Sequence, residues 1–87
     1  MLLSEKIEII RKIKYSEMNE IYNEITKIKE EIKENIEDKL FLELDQELKV
    51  IYFEINYPDY YEDGTYIYIN FKDLLSKLIN ELKLKEK

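Results

Sequence analysis

The 87-residue sequence predicts one small α+β domain, in which two N-terminal helices and a C-terminal helix cover one face of a three-stranded antiparallel meander. Three observations lead to that class. Apolar residues recur at helical spacing from Leu3 to Ile32; the apolar period drops to two between Leu40 and Ile55 and again from Thr65 to Phe71; and the leucines after Phe71 return to helical spacing. Residues 1–87 are too few for a second independent domain, while 45% hydrophobic residues suffice for one modest core.

The first helix is read from Leu3, Ile7 and Ile10, with Ser4 as its cap. Met18, Ile21, Ile25, Ile28 and Ile32 then follow at alternating steps of three and four, a narrow stripe flanked by Glu20, Glu24, Lys27, Glu31 and Glu34. Extended backwards, that stripe lands on Lys14 and Arg11, so the two patterns are out of register. Tyr15-Ser16 is therefore expected to be a turn between two helices, with one long bent helix as the alternative. The stripe either packs on the chain's own sheet or forms the seam of a homodimer.

After Asp38 the alternation reads as strand. Leu40, Leu42 and Leu44 alternate with Phe41 and Glu43, and Ile51, Phe53 and Ile55 with Tyr52, Glu54 and Asn56. A turn at Asp45-Gln46 pairs Leu42 with Lys49 and Leu40 with Ile51. In the third strand Ile67, Ile69 and Phe71 share one face, and Tyr66, Tyr68 and Asn70 the other. A loop from Pro58 to Gly64, holding the only proline and the only glycine, aligns Ile55 with Ile67 and Phe53 with Ile69. The last helix is expected from about Phe71, capped by Asn70 with Asp73 three residues on. It buries Leu74, Leu75, Leu78 and Leu82 and places Lys83, Lys85 and Lys87 at the negative end of its dipole.

The composition removes most chemistry. With no histidine and no cysteine, the chain lacks the commonest general bases, nucleophiles and transition-metal ligands, and it can form no disulfide. Ser4, Ser16, Thr26, Thr65 and Ser76 have no histidine to activate them, and a single glycine cannot build a phosphate-cradling loop. Glu54, Glu62 and the loop aspartates remain as a carboxylate pair or a Ca²⁺ or Mg²⁺ site, but Asp59-x-x-Glu62-Asp63 has the spacing of no known metal loop. The expectation is a non-enzyme with no catalytic residue, cofactor or metal. Met1 to Arg11 interleaves Glu5, Lys6 and Glu8 with apolar residues, unlike a signal peptide or membrane span, so a cytoplasmic location is expected, the host's if the source is viral. Arg11 as the sole arginine, beside abundant isoleucine, lysine, asparagine and tyrosine, suits an AT-rich bacterial, archaeal or viral genome.

Charge points to a partner class. The net charge of −6 disfavours direct contact with nucleic acid or anionic membrane and favours basic protein surfaces. The acid is concentrated: residues 39–71 hold seven acidic and two basic groups, and Val50 to Phe71 contains no lysine or arginine but six of the eight tyrosines. On the three-stranded reading, Tyr52, Glu54, Asn56, Tyr66 and Tyr68 point away from the helices, joined by Asp59, Tyr60, Tyr61, Glu62 and Asp63 of the loop. Tyrosine offers rigid contact area with a polar tip and is enriched at binding hot spots, so this face is the predicted protein-binding site. A plainer reading is that tyrosine favours strands; another is that the first helix covers the face.

In size, charge and compactness the chain resembles the small acidic inhibitors made by phages and mobile elements, DNA mimics and some anti-CRISPR proteins among them. The likeness is compositional, covers no motif and transfers no residue. It implies an inhibitor presenting carboxylates to the nucleic-acid-binding groove of a basic, nucleic-acid-processing protein. The competing expectation is a homo-oligomerising or antitoxin-like accessory protein.

Overall fold

A computed structural model describes residues 1–58 and 64–86, and every regular element among them is helical. The α+β expectation is overturned: four helices, α1 (Leu3–Arg11), α2 (Met18–Asn35), α3 (Asp38–Asn56) and α4 (Gly64–Lys85), form an antiparallel ring 42 Å long, with a 3₁₀ turn at Tyr15–Glu17. Each helix packs on its neighbours in chain order, and α4 closes the ring on α1. No helix is long and apolar enough to cross a membrane among the described residues.

The N-terminal expectations meet the structure at the predicted break. After Arg11 the chain turns through Lys12 and Ile13, whose amides donate to the Ile9 and Ile10 carbonyls. Lys14 is extended, and the Glu17 amide donates back to the Lys14 carbonyl at 2.9 Å. Two helices therefore stand where the stripes fall out of register. Ser4 does not cap α1, however. Leu2 precedes the helix and Ser4 lies inside it, buried, where its amide and hydroxyl donate to the Glu86 carboxylate. An anion from the far end of the chain thus occupies the positive end of α1, where the first amides lack intrahelical acceptors.

The predicted strands are α3 and the first two turns of α4. On α3, Leu40, Leu44, Leu48 and Ile51 are buried, spaced four, four and three, whereas Leu42 is 57% exposed. An alternating strand would bury Leu42 with Leu40 and Leu44; a helix turns it about 200° from each, onto the opposite face. Asp45-Gln46 is no turn and lies mid-helix. In α4, Ile67, Phe71, Leu74, Leu75, Leu78, Ile79 and Leu82 make one continuous inward stripe, so the helix begins at Gly64 and not Phe71, and Asn70 caps nothing. Nothing between Asp38 and Asn56 breaks a helix, neither glycine nor proline, and Leu, Glu, Gln and Lys carry its middle. Packing between α2 and α4 then overrides the local strand preference of Ile51, Tyr52, Phe53 and Ile55. The chain leaves α2 at Ile36, extended and buried, and leaves α3 at Tyr57-Pro58.

One ion pair ties each pair of neighbours around the ring: Lys6–Glu31 at 3.2 Å (α1–α2), Lys29–Asp45 (α2–α3), Lys77–Glu43 at 3.5 Å (α3–α4) and Lys83–Glu8 at 3.9 Å (α4–α1). Half-exposed pairs of this kind contribute about 0–1 kcal/mol each, so burial stabilises the bundle and the pairs favour one ring order over others. Lys85, placed by sequence on the dipole of its own helix, instead donates to the Asn35 carbonyl at 2.8 Å and caps α2. Lys87, assigned the same role, lies outside the described residues.

Candidate protein-binding surface

Because α1 is only half as long as its neighbours, it leaves the first turns of α4 uncovered on its side of the ring. The 12–17 connection covers them instead. Tyr15 stands edge-on to Tyr68, ring centroids 5.7 Å apart, and the Tyr68 hydroxyl donates to the Ile13 carbonyl at 2.6 Å. Lys72 lies over the other side of the Tyr68 ring at 5.2 Å. Tyr68, predicted to face a partner, is therefore a half-buried strut holding the connection onto α4.

On the opposite flank a row of aromatic rings runs across α2 and α3. Tyr22 meets Tyr52 (5.7 Å), Tyr52 meets Phe53 (6.4 Å), and Phe53 meets Tyr57 (5.8 Å). Tyr52, Phe53 and Tyr57 are each about half exposed, and Tyr52 and Phe53 line a recess of about 320 Å³ together with Tyr22 and Leu48. Tyr52 and Phe53 lie near the end of α3 on sides turned away from Ile51, and Tyr57, the residue just past the helix, lies four positions beyond Phe53. Lys29 and Lys49 border it, both engaged with Asp45. The fold thus brings Tyr52 together with two aromatics that the sequence reading left out, Phe53 and Tyr57. A helical reading of α3 would have found both.

The remaining predicted residues scatter. Asn56 donates its side-chain amide to the Tyr52 carbonyl at 2.8 Å, closing the end of α3. Tyr66 is exposed on α4. Asp59, Tyr60, Tyr61, Glu62 and Asp63 lie outside the described residues. The predicted homodimer seam is the chain's own core: Met18, Ile21, Ile25 and Ile32 are buried and Ile28 half-buried against the core, so the stripe has no free face to offer a second copy.

Glu54 departs furthest from expectation. Predicted on an open sheet face, it takes the last inward position of the Leu40-Leu44-Leu48-Ile51 stripe and is 7% exposed. Its Oε2 is buried without a hydrogen-bond partner, and no lysine or arginine pairs with it among the described residues. Around it, Tyr15, Ser16, Met18, Asn19, Ile55 and Pro58 line an open recess of about 440 Å³. Gly64 abuts the same spot: a Cβ there would lie 2.2 Å from Glu54 Oε1 and 2.3 Å from the Tyr15 hydroxyl. The chain's only glycine is thus needed for close approach, in a backbone of ordinary negative φ. No three acidic side chains converge on a metal-sized site among the described residues.

Two carboxyls elsewhere are perturbed in opposite senses. The hydrogen bond from Lys29, helped by the charges of Lys29 and Lys49, holds Asp45 below the usual aspartate value. Burial, with the neighbouring Glu43 charge, pushes Glu47 above the usual glutamate value. Neither faces the Glu54 recess. No family model, curated protein or solved structure matches the chain.

Proposed function

We propose that this chain is a non-catalytic binding module that docks its aromatic row on a basic surface of another protein, as an inhibitor of a nucleic-acid-processing partner. The observation that carries the reading is the row Tyr52, Phe53 and Tyr57, in ring-to-ring contact and half exposed, with Tyr22 against Tyr52. Tyrosine and phenylalanine held in place by their neighbours provide contact area at little entropic cost, which is the chemistry of interface hot spots. The net charge of −6 favours a cationic partner and steers its approach. The absence of histidine and cysteine from the sequence supports a non-catalytic role.

Literal phosphate mimicry gains little support, because Glu54, the one predicted acid among the described residues, is buried. Self-association through the α2 stripe is likewise disfavoured by its burial. The test is affinity capture with two baits, the wild-type chain and a Tyr52→Ala/Phe53→Ala/Tyr57→Ala variant. The lysate is nuclease-treated and the columns are washed at low and at about 0.5 M salt, where screening is nearly complete over a few ångströms. A basic nucleic-acid-processing protein held by the wild type, released by salt and absent from the variant is the expected result. Equal retention by both baits would remove the row from the site, and no basic partner on either would end the reading.

A further inference from the structure

Glu54 and its recess have no role in the aromatic row, and a buried carboxylate with one oxygen left unpartnered asks for a counter-charge, since native structures pair nearly all such groups. Three features define what would satisfy it. First, Glu54 is the one acidic residue lining a recess open to solvent, with Ser16 and Asn19 also on its wall. Second, Glu54 Oε1 and the Tyr15 hydroxyl converge on the one point of α4 that has no side chain. One donor can bond both at the ~2.8 Å of a charge-assisted hydrogen bond. Third, the approach is apolar, between Met18, Ile55 and Pro58, with the Tyr15 ring alongside.

A carboxylate, a phenol and an aromatic edge at the end of an apolar passage suit an ammonium group on an aliphatic stem. The stem packs while the head makes up to three hydrogen bonds. A guanidinium fits less well, because its planar fork seeks both carboxylate oxygens at once, whereas Glu54 Oε2 is buried and Oε1 lies beside the Tyr15 hydroxyl. We infer that the recess receives a lysine side chain of the partner protein, whose ammonium pairs with Glu54. This rests on the docking reading above and supplies its anchor: the acidic chain draws in a basic surface, the aromatic row packs on it, and one lysine enters the recess.

The test is a calorimetric titration of the full chain with a short lysine-rich peptide, its Nε-acetylated counterpart, an arginine-for-lysine counterpart, and putrescine as a free amine. The wild type should bind the lysine peptide at least tenfold more tightly than the acetylated or arginine peptide, and more tightly than putrescine. Glu54→Gln, which keeps the shape and removes the charge, should weaken lysine-peptide binding at least tenfold while the far-ultraviolet circular dichroism stays helical. Gly64→Ala, which puts a methyl where the two oxygens converge, should do the same and serves as the second variant. Unchanged affinity in both variants, with loss in the Tyr52→Ala/Phe53→Ala/Tyr57→Ala variant, would overturn the lysine site and leave the docking surface standing. Tighter binding of putrescine would overturn a partner-borne lysine, and no binding of any probe by the wild type would overturn site and surface together.

Discussion

Replacing Glu54 by methionine should make the protein more stable. The side chain is 7% exposed, its Oε2 has no hydrogen-bond partner, and no cation pairs with it among the described residues. An unsatisfied buried acceptor costs about 1–3 kcal/mol, and exchanging it for an apolar group of similar shape recovers much of that cost. Methionine is close in length, and its flexible thioether adapts to the space between Ile51, Ile55 and the Tyr15 connection. A gain of about 1–2 kcal/mol is therefore expected. With an unfolding entropy of ~2.1 cal/mol/K per residue, about 0.2 kcal/mol/K for a chain this size, the melting temperature should rise by roughly 5–10 °C. The assay is thermal melting followed by far-ultraviolet circular dichroism, checked by urea titration with an unchanged m value. Destabilisation by about 1 kcal/mol or more would refute the reasoning, because it would mean that the carboxylate is satisfied in the folded chain. A stabilising substitution that also abolishes lysine binding would mark Glu54 as a residue held against stability.

Other outcomes follow from the same packing. Leu44→Ala should cost about 2–5 kcal/mol by opening a cavity at a fully buried position, while Leu42→Glu should change stability by less than about 0.5 kcal/mol. Chemical denaturation separates the two, and equal large losses would restore the alternating strand. The two shifted carboxyls act with opposite sign on acidification. Asp45 has a lowered folded pKa, so its contribution is present above its ordinary value of 3.8 and is lost as pH falls through the folded value. Glu47 has a raised folded pKa, so it weakens the fold at neutral pH and the penalty fades as pH falls towards its ordinary 4.5. Glu47→Gln should therefore raise the melting temperature at pH 7 by a few degrees and lose that advantage near pH 4, whereas Asp45→Asn should lower it at pH 7; the reverse ordering would contradict both assignments. Glu86→Ala should cost about 1 kcal/mol by uncapping α1 at Ser4, seen as faster amide exchange in α1, and unaltered exchange there would count against the cap.

The sequence was legible where one period had no competitor. Leu3, Ile7 and Ile10 and the Met18 to Ile32 stripe mark two helices and the break between them, and Leu74 to Leu82 mark the last half of α4. Between Leu40 and Ile55 both periods fit: Leu40, Leu42 and Leu44 alternate, yet Leu40, Leu44, Leu48 and Ile51 form a helical stripe. The β-branched and aromatic residues tipped the reading to strand, although they report preference for a half-buried surface more than backbone conformation. The deciding signals were the 19-residue stretch without glycine or proline and the need of α2 and α4 for an apolar neighbour, which only three-dimensional packing supplies. The candidate site inherited that error. Tyr52 lies on the exposed surface as expected, but beside Phe53 and Tyr57 and not beside Tyr66 and Tyr68. Strand alternation puts Glu54 on an open face, while its position on the inward helical stripe makes it a buried acid.

Docking as proposed requires that the aromatic row and the Glu54 recess meet the same basic partner, and amide chemical-shift mapping reads this directly. The ¹⁵N-labelled chain is titrated with the lysine-rich peptide at low salt. The expected result is shifts at Tyr52, Phe53 and Tyr57 together with Tyr15, Glu54 and Gly64, all saturating at one peptide concentration. Shifts confined to the groove between α1 and α2 lined by Ile9 and Ile28 would contradict both sites.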